Sequence, residues 1–152
     1  MAWALQSVWP EERVHREQAM VALAASHEIA SPPSVLITDD NDGWRQAVED
    51  VLESAGFHTL QASSGEEAIE VVRTRRLDVV LLDFHMPRLD GLQTLRRMRR
   101  HNCLVPAVLM TAHPTSVPVE VVRSLRVRRV LRKPADRGVI VTTVTQVVHW
   151  QT

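Results

Sequence analysis

The stretch DVVLLDFHMPRLDG, residues 78–91, decides how the rest of the chain is read. Val79, Val80, Leu81 and Leu82 follow one another with no polar residue between them. A continuous apolar run of strand length suits a strand covered on both faces, the environment of a parallel sheet, and a third strand is expected over 78–82. Asp83 ends the run. A helical pattern then extends over residues 91–100, with Leu92, Leu95 and Met98 directed inward.

The same alternation continues on both sides. Residues 35–38 form a short apolar strand that ends in Asp39 and Asp40. Trp44, Ala47, Val48, Val51, Leu52 and Ala55 recur at helical spacing, and Gly56 supplies a stop. A second strand fits residues 57–62. Ser64 and Glu67 then make a capping-box pattern ahead of Ala68, Ile69, Val71 and Val72. A fourth strand is expected over 105–110, a helix over 119–125 and a short fifth strand at Val130-Leu131. In the last segment nine of the ten residues from 139 to 148 are β-branched, which propensity alone assigns to a strand. Ile140, Val141, Val144, Val147 and Val148 nevertheless share one helical face, and the preceding alternation requires a helix there.

Alternating strands and helices imply an α/β domain, a parallel sheet covered on both faces. Such sheets carry their sites at the carboxyl ends of strands, near the point where strand order reverses.

Composition narrows the function classes. A chain of 152 residues suffices for one domain with a real core. Its formal net charge of zero gives no global attraction to nucleic acid or to an anionic membrane. The single cysteine, Cys103, excludes an internal disulfide framework and a cysteine-rich zinc site. No run approaches the roughly 20 apolar residues that cross a bilayer, and the first residues lack the pattern of a secretory signal. A soluble, cytoplasmic protein is expected. Residues 1–34 read as an extension: a helical pattern after Pro10, then the linker Ser31-Pro32-Pro33-Ser34. It is either a weakly ordered extension (or the product of an upstream start codon) or a docking or dimerisation helix. The main domain then covers residues 35–152.

Four strand ends supply the chemistry. Asp39 and Asp40 close the first strand and Asp83 the third; if these strands are neighbours, three carboxylates converge on one crevice. Carboxylates that close repel one another and normally hold a hard cation; oxygen-only ligation favours Mg²⁺. Thr111 ends the fourth strand with a hydroxyl. Lys133 follows the fifth, and it is the only lysine among the 18 basic residues. A compact ammonium there can pair with a carboxylate or a phosphoryl oxygen.

Asp39-Asp40, the segment from Asp83 through Met86-Pro87 to Asp90-Gly91, Thr111-Ala112 and Lys133-Pro134 resemble the receiver domains of two-component response regulators, from about residue 35 to 148. The resemblance implies a flavodoxin-like fold, a five-stranded parallel sheet in the order 2-1-3-4-5 with five helices. It implies that Asp83 accepts a phosphoryl group from the phosphohistidine of a sensor histidine kinase or a phosphotransfer protein. Asp39, Asp40, Asp83 and the backbone carbonyl of His85 would bind Mg²⁺. Lys133 would pair with the phosphoryl group, Thr111 would hydrogen-bond to it, and the Lys133-Pro134 bond would be cis.

The chain also departs from that family. Val130 stands where an aromatic residue usually switches with the threonine, Ala135 where phenylalanine is common, and Arg126-Val127 where a small pair is usual. Phosphorylation should survive these changes; the usual coupling from Thr111 to an output face is what they affect. His85 and His113 each lie two residues past a site residue. They either tune the water that removes the phosphoryl group or are solvated loop histidines.

Arg123, Arg126, Arg128, Arg129, Arg132 and Arg137 crowd the fourth helix, the fifth strand and the following loop, a face for an unnamed output protein or a homodimer. Arg96, Arg97, Arg99 and Arg100 are expected on an exposed helix face. His101-Asn102-Cys103 has no partner motif. Trp3, Trp9 and Trp150 are expected to pack on the domain, on each other or in a dimer. Neither nucleic acid nor membrane is an expected partner. The function expected is a single-domain, phosphorylation-controlled switch with slow autodephosphorylation and no turnover substrate, hence not an enzyme. The alternatives are a receiver-like interaction module indifferent to phosphorylation, and a phosphatase or phosphotransferase.

Overall fold

The computed structural model describes residue 18 and residues 31–150. Five strands, β1 (Ser34–Thr38), β2 (His58–Ala62), β3 (Val79–Asp83), β4 (Ala107–Thr111) and β5 (Val127–Arg132), form one sheet in the order β2-β1-β3-β4-β5. All four pairings are parallel. Five α-helices connect and follow them: α1 (Asp42–Ser54), α2 (Gly65–Thr74), α3 (Gly91–Arg100), α4 (Val119–Ser124) and α5 (Arg137–His149), with a 3₁₀ turn at Pro114–Ser116. This is the fold expected; of the extension, residues 1–17 and 19–30, with Trp3 and Trp9, fall outside the described residues.

The apolar run of β3 is explained by its two faces. Val80 and Leu82 join Leu36 and Leu109 in a core under α2, α3 and α4. Val79 and Leu81 join Val35, Ile37, Val108 and Met110 in a second core under α1 and α5. Successive side chains of a strand point to opposite faces, so a central strand needs apolar residues at every position. The β-branched last segment is a helix because Ile140, Val144 and Val147 close the second core. Tertiary burial outweighs propensity there.

Boundaries differ from expectation for local reasons. β1 begins at Ser34, whose N–H donates to the Asp78 carboxylate at 2.7 Å, and β3 begins after that residue. β4 begins after Pro106, which has no N–H but accepts from Val80 N at 3.0 Å. β5 is longer than its apolar pair because its first half is an edge carrying exposed Arg128 and Arg129, with a register shift against β4. Gly56 ends α1 at φ 93°. Ser64 caps α2 through Glu67 N at 3.1 Å. Glu67, however, reaches Ser63, not Ser64, accepting from its N–H and hydroxyl at 2.7 and 2.8 Å. The complete capping box lies instead at α3, between Asp90 and Gln93. Arg99 is also a correction: it is half-buried, donating to Leu125 O at 2.9 Å and Cys103 O at 2.7 Å, which ties α3 to the segment before β5. Arg96, Arg97 and Arg100 are exposed as expected.

Candidate functional site

The chain leaves β1 for β2 on one side and returns to β3 on the other, so β1 and β3 flank the switch point. Their carboxyl ends present Asp39, Asp40 and Asp83, each with a carboxylate oxygen within 4.8 Å of the other two. Asp39 and Asp83 are buried and Asp40 is exposed.

Asp39 is held from three sides. Its Oδ1 accepts from Asn41 N at 2.9 Å and its Oδ2 from Lys133 Nζ at 2.5 Å. Its carbonyl accepts from Arg45 at 2.7 Å. Arg45 in turn donates to Gln61 at 3.0 Å and pairs with Asp42 at 2.6 Å, a clasp that the sequence did not disclose. Its only signal was an arginine one turn after Asp42.

Asp83 Oδ1 lies 3.3 Å from Lys133 Nζ and accepts from His85 N at 3.3 Å. Burial pushes the Asp83 carboxyl above its ordinary range, the Asp39 charge adds to this, and Lys133 pulls it back. One ammonium thus faces two buried carboxylates and a third nearby. That excess of negative oxygen fits a small divalent cation, and an all-oxygen donor set is the chemistry Mg²⁺ takes.

Lys133 reaches the acids from the end of β5, where its N–H donates to Thr111 O at 2.9 Å and its bond to Pro134 is cis. Its ammonium also lies 5.6 Å over the Trp44 ring. Trp44 on α1 and Ala135 after β5 each pack against the second core. Thr111 is buried; its hydroxyl accepts from His113 N at 3.1 Å and lies 3.5 Å from His85 Nε2. Both histidine side chains are exposed, and His85 is the one whose ring reaches Thr111.

The segment after Asp83 is fixed by packing. Met86 and Leu89 are buried, Arg88 is in the left-handed region at φ 66°, and Gly91 N donates to Phe84 O at 2.9 Å. A Cβ on Gly91 would stand 2.4 Å from Asp83 O and 2.9 Å from Phe84 Cα. No side chain fits there, so Gly91 is part of what aims the acceptor. Among the expected site residues, the structure brings Asp39, Asp40, Asp83 and Lys133 into one cluster, with Thr111 and His85 beside it.

The description "response regulator receiver domain" matches residues 35–145. The chain belongs to that family. Sporulation initiation phosphotransferase F of Bacillus subtilis is 32% identical over 102 residues, 67% of this chain and 82% of that protein. The transcriptional regulatory protein AfsQ1 of Streptomyces coelicolor is 37% identical over 89 residues, 59% of this chain. The receiver spans 39% of AfsQ1 and 17% of the regulatory protein AtoC of Escherichia coli. Among solved structures, a CheY-like receiver domain protein from Methanospirillum hungatei superposes with a TM-score of 0.71 at 28% identity, covering 78% of this chain and 95% of that one. The receiver is thus a flavodoxin-like module of two-component signalling. Among its described residues no helix is long and apolar enough to cross a membrane.

Proposed function

We propose that this receiver is a phosphorylation-controlled switch that accepts a phosphoryl group on Asp83. The observation that carries the reading is the convergence of Asp39, Asp40 and Asp83 on one ammonium, Lys133. A carboxylate oxygen of Asp83 attacks phosphorus of a phosphohistidine on a sensor histidine kinase or a phosphotransfer protein. The new P–O bond forms as the P–N bond breaks, and the leaving electron pair returns to the imidazole, which then takes up a proton. Phosphoryl transfer of this kind is mostly positioning and charge neutralisation.

Lys133 neutralises a phosphoryl oxygen and holds Asp39, while His85 N–H and Gly91 fix the Asp83 segment. Asp39, Asp40, Asp83 and the His85 carbonyl would hold Mg²⁺, which supplies further positive charge to the transferring oxygens when bound. Thr111 would hydrogen-bond to the phosphoryl group, and the His85 imidazole would tune the water that removes it. We read the chain as a cytoplasmic acceptor with slow autodephosphorylation, not as a turnover enzyme. The output is the surface of α4, β5 and α5. A relative named as a phosphotransferase supports onward transfer as one form of that output.

Incubation with radiolabelled acetyl phosphate tests the reading. The expected label requires Mg²⁺, is released by hydroxylamine as an acyl phosphate must be, and is absent from Asp83→Asn. A label that survives Asp83→Asn defeats it. The rival module, motivated by Val130, predicts partner binding that ignores Asp83→Asn.

A further inference from the structure

Arg123, Arg126, Arg128, Arg129, Arg132 and Arg137 are all exposed, and none forms an ion pair among the described residues. They lie on α4, on the turn and strand that follow it, and at the start of α5. β5 is the edge of the sheet, with α4 packed on one of its faces and α5 on the other, so these elements make one continuous side of the domain. Only two exposed acids belong to the same elements, Glu120 on α4 and Asp136 before α5. Asp136 is engaged as the α5 cap, accepting from Gly138 N at 2.8 Å. The chain as a whole is neutral, so this is local segregation of charge.

A second observation points the same way. Of the four large hydrophobics exposed among the described residues, three flank the arginines: Val119 at 60%, Val139 at 48% and Trp150 at 51%. The Arg129 guanidinium lies 4.5 Å over the Trp150 ring. Exposed apolar groups beside arginine and tryptophan have the composition of a protein interface.

Two occupants are disfavoured by chemistry. A symmetric dimer would set this patch against its own copy, arginine facing arginine. Nucleic acid would satisfy the arginines but leave Val119 and Val139 against a polyanion. It would also find one face of Trp150 already taken by Arg129, unavailable as a stacking platform.

We propose that the α4–β5–α5 face docks an acidic protein surface with apolar residues at its centre, and not a second copy of this chain. The inference deepens the switch reading, naming the partner chemistry of its output face. The probe is a fluorescein-labelled peptide of glutamates interspersed with leucines, with a labelled DNA duplex of equal charge as comparison. Anisotropy with the full chain should show peptide binding that weakens at least tenfold between low and moderate salt. It should weaken at least tenfold in Arg128→Ser/Arg129→Ser/Arg132→Ser. The helix-only variant Arg123→Ser/Arg137→Ser, which leaves the strand untouched, should also bind more weakly. The variant Arg96→Ser/Arg97→Ser/Arg100→Ser, altered on α3, should bind within twofold of wild type.

Equal losses from the α3 and β5 variants, or tighter binding of the duplex, would overturn the proposal. So would a dimer in sedimentation that the β5 substitutions abolish. A chain that takes up phosphoryl label without arginine-dependent peptide binding defeats the surface alone. Arginine-dependent binding without any label defeats the switch and leaves the surface standing.

Discussion

At the scale of single residues, the site stores charge repulsion. Asp83 is buried beside Asp39 and has only a share of one ammonium, so its folded-state pKa is raised. A group whose pKa rises on folding binds its proton more tightly in the folded state, so its stability contribution falls as pH rises. Metal-free Asp83→Asn should therefore be more stable than wild type at neutral pH, by about 1–2 kcal/mol. The gap should close as pH falls through the raised Asp83 value toward the ordinary 3.8. Urea unfolding of both proteins in chelator across that range checks this; a gap that widens on acidification would contradict it. The same residues show what the sequence discloses at this scale. The acids and Lys133 were legible because strand ends in a parallel sheet converge. The Arg45 clasp was not, since it depends on where the start of α1 meets Gln61 at the end of β2.

At the scale of elements, the β3–α3 turn is set by close approach. Gly91 opens α3 with no room for a side chain, because the Asp83 carbonyl occupies the place of a Cβ. Gly91→Ala should destabilise the domain by about 1–3 kcal/mol, the range of forced overpacking. It should also lower phosphoryl uptake more than its loss of stability explains, because the displaced backbone is that of the acceptor. Wild-type uptake in Gly91→Ala would show that the turn does not aim Asp83. α3 was readable to its ends in the sequence, from the apolar stripe Leu92, Leu95, Met98; the structure adds Asn102 at φ 58° just past its last turn. β5 was half-read because Arg128 and Arg129 break the apolar pattern at an edge, where burial does not enforce alternation. Arg99 was misread for the converse reason: a charged residue in a basic run was placed with its neighbours, yet its guanidinium caps two carbonyls.

At the scale of the whole molecule, two cores on opposite faces of one sheet hold the carboxyl ends of β1, β3, β4 and β5 in register, and the acidic crevice is the shared product. A ligand that binds only the folded crevice stabilises the entire domain. Mg²⁺ at about a hundred times its dissociation constant should add about 2.7 kcal/mol. The gain should be largely lost in Asp39→Asn and Asp40→Asn, read by unfolding with and without chelator. An equal gain in all three proteins would place the ion elsewhere. The sheet order was legible through the family resemblance, whereas periodicity alone supplied the elements and not their neighbours.

The most direct test of the central claim is the intact mass of the full chain after acetyl phosphate treatment, with and without Mg²⁺, for wild type and Asp83→Asn. A single phosphoryl adduct that requires Mg²⁺ and disappears with Asp83→Asn is the predicted result. No adduct on wild type under any Mg²⁺ condition would contradict it and leave a receiver-shaped binding module.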